Sequence, residues 1–405
     1  MEVDPGRAIK DLRELDRLTG GADGARRVCW TPEWQRARAF LRERLDEIDG
    51  VDVELDEAGN LWAGLPGALD GTVAVGSHLD SVPHGGWLDG VLGVMAALEV
   101  LRAAATDSAR HAVILVDFAD EEGARFGRSL FGSSAVAGTL EPESLAGLRD
   151  ADGRGIREVL AEHNVDLERA PRATSRLEPL VAYLELHIEQ GPVLEREGVP
   201  VAAVSGTFGV ERHRFDFTGQ ASHAGTTPMD MRDDAGLAAA RGALAVEETA
   251  RRNDGVGTCG IVRLEPGIPT AVAGHAELVV DLRHARADSL AAMLDETRAS
   301  MIEAADESGC TVSASEIWRI EPIAFDERLV AAALDAAGTG RTLASGALHD
   351  AAEMARRVPT AMMFTSSTRG LSHAKEEDTP EADLERAIDA FGRLASRVLR
   401  GTVRA

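Results

Sequence analysis

The feature that most constrains this chain is a repeated pattern in which a short apolar run ends in a loop carrying glycine together with His, Asp or Glu. Residues 72–77 and 111–118 are two such runs, and stretches with helical spacing follow near 90–105, 129–138 and 154–163. The second run is almost entirely apolar, as expected of a strand that is buried on both faces. The pattern predicts an α/β fold, in which functional residues gather at the carboxyl edge of the sheet.

Five segments place metal-type ligands in loops of this kind, and they are residues 76–80, 88–90, 120–123, 185–191 and 371–373. Taken singly, each segment has an ordinary interpretation: a turn, a solvated acidic loop or a buried histidine at the end of a strand. Taken together, they supply three histidines, an isolated aspartate and an adjacent pair of glutamates. Zinc binds imidazole nitrogen and carboxylate oxygen, and a two-metal site needs a carboxylate that both ions share. The set therefore predicts a two-zinc hydrolase.

In the zinc interpretation, each residue of the first three segments has its own role. His78 binds a metal ion while Asp80 fixes the ring of that histidine, which is the usual arrangement around metal-bound imidazole. Asp89 lies near glycines at the start of a helix and is placed to bridge two ions. Adjacent side chains in an extended loop point to opposite sides, so Glu122 binds a metal while Glu121 faces water as general base.

Composition excludes several functional classes. The net charge of −25 disfavours nucleic acid and anionic membranes as partners, because both would be repelled. The three cysteines are isolated from one another, so neither a disulfide framework nor a thiolate zinc site is predicted. The charged start at residues 1–5 lacks the apolar run of a signal peptide, and no stretch has the length of a membrane span. We therefore expect a cytoplasmic protein whose substrate is a small molecule.

A change of pattern after residue 210 divides the chain, whose 405 residues exceed one ordinary core. An alternating strand at 210–219 opens the new section. The elements predicted after it lie at 233–252, 256–265, 274–284, 286–308 and 310–320. From residue 322 the α/β pattern returns. We predict a catalytic domain formed by residues 1–209 and 322–405, interrupted at 210–321 by an inserted α+β domain of four strands and two helices.

Eight motifs, in order along nearly the whole chain, are similar to those of a known family. They are GSHLDSVP at 76–83, GGWLDG at 85–90, DEEGARF at 120–126, HIEQGP at 187–192, GQASHAGTTPM at 219–229, DLR at 281–283, SGALHDA at 345–351 and SH at 372–373. The chain resembles the amidase, hydantoinase and carbamoylase branch of the dizinc aminoacylase and carboxypeptidase-type hydrolases. That branch holds N-carbamoyl-L-amino-acid hydrolases, allantoate amidohydrolases and β-ureidopropionases. The resemblance implies a dizinc aminopeptidase-like catalytic domain, with the inserted domain serving as a lid and for dimerisation.

The resemblance also implies a role for each site residue. It assigns one zinc ion to His78, Asp89 and His187, and a second to Asp89, Glu122 and His373, with Glu121 as the base. Manganese, cobalt and nickel are alternatives to zinc. On the substrate side, the resemblance implies that Arg283 binds the substrate carboxylate and that His223 stabilises the oxyanion. His223 would reach this position from the inserted domain of a partner subunit. Gln190 and His349 would make further polar contacts near the metals.

One position departs from the family pattern. Relatives usually carry Asn thirteen residues before the arginine of the Asp-x-Arg motif, whereas this chain has Thr270 there. A threonine hydroxyl reaches less far than an amide and offers one donor hydrogen, where the amide offers an NH₂ donor and a separate carbonyl acceptor. This substitution weakens the assignment of simple N-carbamoyl amino acids as the substrates.

The leading hypothesis is a homodimeric, dizinc hydrolase of linear amides whose substrate carries a carboxylate. N-carbamoyl-L-amino acids are the first substrate class, allantoate-type ureido compounds the second and N-acyl-amino acids the third. A hypothesis from another class is a catalytically silent binding scaffold that keeps the fold. Such a relative could lose Glu121 freely, so the presence of this residue with every predicted ligand favours an enzyme.

Overall fold

The computed structural model describes residues 1–65, 71–107 and 109–403, and the chain divides into two compact units. Unit 1 consists of Met1–Ser205 and Phe325–Ala405, and unit 2 consists of Gly206–Ala324. The borders predicted at 210 and 321 lie a few residues inside unit 2. Strands and helices occur in both units, so the mixed α/β class agrees with the prediction.

The elements are numbered in chain order. The strands are β1 (Asp52–Leu55), β2 (Leu61–Gly64), β3 (Thr72–His78), β4 (Ala112–Phe118), β5 (Leu180–Ile188), β6 (Val201–Thr207), β7 (Gly209–Thr218), β8 (Ser222–His223), β9 (Val256–Glu265), β10 (Ala271–Val272), β11 (His275–His284), β12 (Thr311–Ile320), β13 (Ile323–Ala324), β14 (Thr342–Ser345) and β15 (Thr360–Thr365). The helices are α1 (Pro5–Thr19), α2 (Pro32–Asp46), α3 (Val91–Ala104), α4 (Phe131–Ala137), α5 (Pro142–Leu145), α6 (Ile156–Glu162), α7 (Val193–Glu197), α8 (Ala235–Arg252), α9 (Ala287–Glu307), α10 (Glu327–Ala337), α11 (Asp350–Ala355) and α12 (Glu381–Leu399). Helices of the 3-10 type lie at Ala170–Leu177, Met229–Met231 and Thr368–Gly370.

The larger sheet has nine strands among the described residues, in the order β1-β2-β4-β3-β5-β15-β6-β13, with β14 beside β6. Strands β4, β3, β5 and β15 are parallel and form its centre. Nearly every residue of β3 and β5 is buried, which explains why both strands begin as apolar runs and carry polar residues mainly toward their carboxyl ends. The carboxyl ends of these four strands lie at one edge of the sheet, where the predicted ligands stand.

The two faces of the central strands have different neighbours. Leu184 and Leu186 of β5 belong to a core that also contains the apolar residues of α1, α3, α10 and α12. Alternation along the strand turns Glu185 and His187 to the opposite face, where the backbone N–H of Ala351 in α11 donates to Glu185. No helix among the described residues is long and apolar enough to cross a membrane.

Unit 2 is built on a four-stranded antiparallel sheet in the order β12-β7-β11-β9, against which α8 and α9 pack. Phe215 and Phe217 of β7 alternate into the core beneath these helices, together with Leu278 and Val280 of β11. The bounds of these strands and helices lie within two residues of those predicted. The short strands β8 and β10 form a separate ribbon, which sequence analysis does not find because two residues are too few to show a period.

Candidate metal centre

Two histidines approach each other from adjacent parallel strands. His78 is the last residue of β3, His187 lies near the end of β5, and their ring centroids are 6.0 Å apart. A backbone carbonyl lies against Nδ1 of each ring, that of Asp80 at 3.1 Å from His78 and that of Ile188 at 3.0 Å from His187. A carbonyl can only accept a hydrogen bond, so Nδ1 carries a proton and Nε2 is the nitrogen left to bind a metal ion. Both Nε2 atoms face Asp89.

Asp89 stands at the centre of the site, on the loop that precedes α3. Its Oδ1 lies 3.2 Å from His187 Nε2 and 4.0 Å from His78 Nε2, and its Oδ2 lies 3.4 Å from Nε2 of His373. The next residue, Gly90, has φ of 69°, and a Cβ there would come within 2.4 Å of the His78 ring. Only glycine therefore lets the loop turn so close to this histidine.

The ligand atoms form two groups in which all atoms lie within 4.8 Å of one another, and Asp89 belongs to both. One group is His78, Asp89 and His187, and the other is Asp89, Glu122 and His373. His187 Nε2 is buried and makes no hydrogen bond to any described residue, so its lone pair has no partner within the protein. Imidazole nitrogen with carboxylate oxygen is a donor set that zinc binds. The residues present therefore fit divalent ions.

The two adjacent glutamates are held in place by Asp80. Its carboxylate accepts the backbone N–H of Glu121 at 3.2 Å and that of Glu122 at 3.1 Å. The predicted contact of this carboxylate with the His78 ring is longer, at 3.5 Å, because the Asp80 carbonyl takes the Nδ1 proton. Glu121 Oε2 lies 3.7 Å from His78 Nε2, and Glu122 Oε2 lies 3.4 Å from His373 Nε2. The two glutamates therefore line one cavity but face different histidines within it.

Burial and crowding of carboxylates set the proton affinities of the site. Burial raises the pKa of Glu121 well above its usual value, and burial with the nearby charge of Asp89 raises the pKa of Glu122 to about 7. Burial would also raise the pKa of Asp89, but the nearby ring of His187 and a hydrogen bond from His373 outweigh it and hold that pKa well below the usual value. The same hydrogen bond to Asp89 raises the pKa of His373 to about 9. Cations bound among these groups would relieve the cost of ionising them.

We expect the metal-free protein to lose stability as the pH rises. Burial raises the pKa of Glu122 and of Glu377 to about 7, and that of Asp120 to about 8, from ordinary values near 4. A carboxyl group with a raised folded-state pKa stabilises the fold below its unfolded pKa, and this contribution disappears as the pH rises through the folded value. Without metal, the melting temperature should therefore fall between about pH 4.5 and pH 8, and added zinc should raise it most at the upper end. Calorimetry across this range is the measurement, and a zinc effect that does not grow with pH would contradict the expectation.

A cavity of about 370 Å³ opens at these ligands. It is lined by His78, Val82, Asp89, Glu121, Glu122, Ser129, His187, Gln190, Ala347, Leu348, His349 and His373. The amide nitrogen of Gln190 already donates to Asp89 Oδ2 at 2.9 Å and to Ser372 Oγ at 3.0 Å, which ties this residue to the shared carboxylate. His349 Nε2 lies 2.9 Å from Ser345 Oγ. Burial lowers the pKa of His349 well below its usual value, so the ring that lines the cavity is neutral.

The three predicted substrate residues of unit 2 lie at two different ends of its sheet. His223 in β8 stands opposite Ala271 of β10, which directly follows Thr270. Strand β10 leads into β11 at His275, whereas Arg283 lies near the far end of β11. Eight residues separate these two positions along the strand, which is about 26 Å of extended backbone. Within one chain, His223 and Thr270 are therefore neighbours, and both are far from Arg283.

The site contains two residues whose roles sequence analysis does not find. Glu377 is 2% exposed and accepts the backbone N–H groups of Leu88 and Asp89, and Ser372 Oγ lies 3.0 Å from Asp89 Oδ2. One weak signal exists, namely a serine directly before His373 and an acid four residues after it. In a chain with 68 acidic residues, such a signal carries little information.

A family model described as peptidase family M20/M25/M40 matches residues 74–397. The chain belongs to this family. The matched stretch begins in β3 and ends in α12, so it contains all of the predicted metal ligands of this family member.

Relatives and solved structures are similar to this family member over nearly its whole length. N-carbamoyl-L-amino acid amidohydrolase of Geobacillus stearothermophilus is 36% identical over 384 residues, which covers 93% of each chain. Allantoate amidohydrolase of Escherichia coli is 33% identical over 381 residues, which covers 91% of each chain. The crystal structure of an amidase of the hydantoinase/carbamoylase family from Burkholderia multivorans has a TM-score of 0.88 at 31% identity, over 98% of each chain. The resemblance predicted from the eight motifs is confirmed.

Proposed function

We propose that this protein hydrolyses a non-peptide C–N bond in a linear amide that carries a carboxylate, and that it does so with two divalent ions, zinc first among them. The observation that carries the proposal is the pair of ligand groups that share Asp89 at the carboxyl edge of the parallel strands. The names of the relatives support chemistry at carbamoyl and ureido groups. N-carbamoyl-L-amino acids are therefore the first substrate class, allantoate-type compounds the second and N-acyl-amino acids the third.

Ions bound in this centre would polarise the substrate carbonyl and lower the pKa of bound water toward neutrality. The proton transfers then fall to Glu121, whose carboxylate lines the cavity beside His78. It accepts a proton as water adds to the carbonyl carbon, and it returns that proton to the nitrogen as the C–N bond breaks. Burial raises the pKa of Glu121, which suits a group that must both accept and release a proton. A carbamoyl substrate would yield the free amino acid, carbon dioxide and ammonia.

We propose that a second copy of the chain completes each active site. His223 and Thr270 lie at one end of the sheet of unit 2, and Arg283 lies about 26 Å along the same strand at the other. An amino-acid-sized ligand cannot touch both ends of one unit. If all three residues contact substrate, His223 and Thr270 cannot share one ligand molecule with Arg283 of the same copy, so a second copy must supply one of the two ends.

The exposed edge of unit 2 supports pairing with a second copy. Strand β9 is the last strand of its sheet, and its residues Val256, Val262 and Leu264 are 48%, 52% and 44% exposed. On α8, which packs against β9, Leu244 is 65% exposed. Edge strands of monomers usually carry charges or prolines that prevent pairing, so an apolar edge favours a partner strand. A two-fold axis would place this edge against its own copy.

Mixing two inactive variants tests the shared site. His223→Ala and Glu121→Gln should each be inactive, and exchange of subunits between them should restore about a quarter of wild-type activity. Half of the dimers are then mixed, and each mixed dimer holds one site in which both residues are intact. The matched control is His187→Ala mixed with Glu121→Gln, which should restore nothing because both changes fall in the same metal centre. If activity does not return after subunit exchange has been confirmed, the proposal that His223 acts in the partner's site is wrong.

Thr270 points to a substrate that differs from a simple N-carbamoyl amino acid. We expect efficiency on N-carbamoyl-L-amino acids below about 10⁴ M⁻¹s⁻¹. Thr270→Asn should raise it by about ten- to a hundredfold, since a missing hydrogen-bond partner costs roughly 1–3 kcal/mol. Steady-state kinetics on a panel of N-substituted amino acids measures this. Thr270→Val is the control and should bring no gain, and wild-type efficiency in the ordinary enzyme range would show that the substitution is neutral.

Metal analysis combined with product assays tests the proposed function as a whole. Carbamoyl amino acids should release ammonia and a stable free amino acid, whereas allantoate-type compounds should release ammonia and an unstable α-amino-α-ureido acid that loses a second ammonia in water. N-acyl compounds should release an amino acid without ammonia. A silent scaffold would release none of these products. Trace metal content together with activity that survives chelation would overturn the metalloenzyme proposal.

A further inference from the structure

Glu377 lies beneath the loop that carries the shared ligand, and it is 2% exposed. Its Oε1 accepts the backbone N–H of Leu88 at 3.1 Å and that of Asp89 at 3.0 Å. These two groups stand where the chain turns into α3, and a buried N–H without a partner would cost free energy. The carboxylate therefore holds the backbone of Asp89 from a residue that is 288 positions away in the sequence.

The second oxygen of Glu377 reaches the side chain of Asp89 through Ser372. The Ser372 hydroxyl lies 3.2 Å from Glu377 Oε2 and 3.0 Å from Asp89 Oδ2, and Gln190 Nε2 donates to both that hydroxyl and Asp89. Because Ser372 directly precedes His373, the same contact fixes the segment that supplies a ligand of the second group. Glu377 thus touches both the backbone and, through one hydroxyl, the carboxylate of the shared ligand.

The loop of residues 86–89 passes close to the Glu377 carboxylate. A Cβ added at Gly86 would lie 2.1 Å from Glu377 Oε1, so the loop can cross the carboxylate only as glycine. The two segments are joined a second time where Trp87 Nε1 donates to Asp378 Oδ1 at 3.2 Å. Residues 86–89 and 372–378 are therefore held together at several points.

We propose that Glu377 is a positioning residue that sets the affinity for both metal ions by holding Asp89 and, through Ser372, the segment of His373. The inference rests on the proposed metal-dependent function. It assigns no contact between Glu377 and substrate or metal. Partners of this kind, one step behind the ligands, typically change metal affinity by about ten- to a hundredfold.

The test is a titration of the metal-free protein with Zn²⁺ against a chromophoric chelator. Glu377→Ala should weaken binding of both ions by about ten- to a hundredfold, and the absorption spectrum of the Co²⁺-loaded protein should change in parallel. Glu377→Gln keeps an oxygen for the two N–H groups and an amide that can donate to Ser372, so its affinity should stay within about threefold of wild type. Glu377→Asp keeps the charge but is one methylene too short, and it should behave like the alanine variant.

Glu99→Ala is the matched control. Glu99 is fully buried in α3, where it pairs with Arg7 and Arg102, and it contacts no proposed ligand. Its loss should lower the melting temperature without changing zinc affinity. Equal zinc affinity in wild type, Glu377→Ala and Glu377→Asp would overturn the inference, and should the alanine variant fail to fold, Glu377→Asp alone decides. A wild-type protein that binds no zinc would instead overturn the proposed function.

Discussion

Replacing Glu121 with Gln should lower turnover by at least about a hundredfold while the metal content stays the same. The amide keeps the size and shape of the side chain but cannot accept the proton that water loses. The surrounding ligands should be undisturbed, because Asp80 holds this segment through the backbone N–H of Glu121 and not through its side chain. The measurements are kcat at saturating substrate and elemental analysis of the same preparation.

Glu122→Gln is the matched control for this prediction. Glu122 faces His373 within the second ligand group, so replacing its carboxylate with an amide should weaken metal binding. Turnover should fall as a consequence. The two substitutions are the same chemical change at adjacent positions, and the two proteins should differ in their metal content. Near-normal turnover in Glu121→Gln would show that the roles of the two glutamates are wrongly assigned.

Replacing Asp89 with Ala should remove both metal ions, whereas His373→Ala should mainly empty one position. Asp89 is the residue that the two ligand groups have in common, and its two oxygens face different histidines. Losing it also leaves buried carboxyl groups and histidines without their central partner. Metal stoichiometry after dialysis against metal-free buffer is the measurement.

The comparison between these two variants is decisive for the shared ligand. An Asp89→Ala protein that retains one equivalent of metal would place Asp89 in one group only. Retention of two equivalents would remove it from metal binding altogether. The Glu99→Ala protein is a control here as well, since it loses a carboxylate buried in α3 and its ion pairs with Arg7 and Arg102 but should keep both ions.

Local sequence patterns were sufficient for the strands and helices that place the site. Strands β3, β4 and β5 are largely buried on both faces, so their sequences are mostly apolar, and the polar residues at or just after their carboxyl ends mark the edge of the sheet. His78 and the pair Glu121 and Glu122 stand at such points. In unit 2, alternation along β7 and β11 reflects one covered face, which made those strands equally recognisable.

Side-chain directions were less accessible to the same patterns. The loop after β4 is not regularly extended, since Asp120 has φ of 57°, and Glu121 and Glu122 both line one cavity. Gln190 also has a positive φ, of 57°, and its amide nitrogen turns to Asp89. A backbone turn of this kind depends on the packing around it, which a single stretch of sequence does not reveal.

The sequence by itself determined the fold class, the order of elements and the identity of the candidate ligands, because each follows from the local alternation of apolar runs and polar loops. Only the tertiary structure decided how these residues are held. The hydrogen bond from the backbone N–H of Asp89 to Glu377 joins residues 288 positions apart. The separation of His223 from Arg283 follows from strand pairing in unit 2. Such contacts form because folding brings distant segments together and buried polar groups must then find partners, a requirement that no local pattern records.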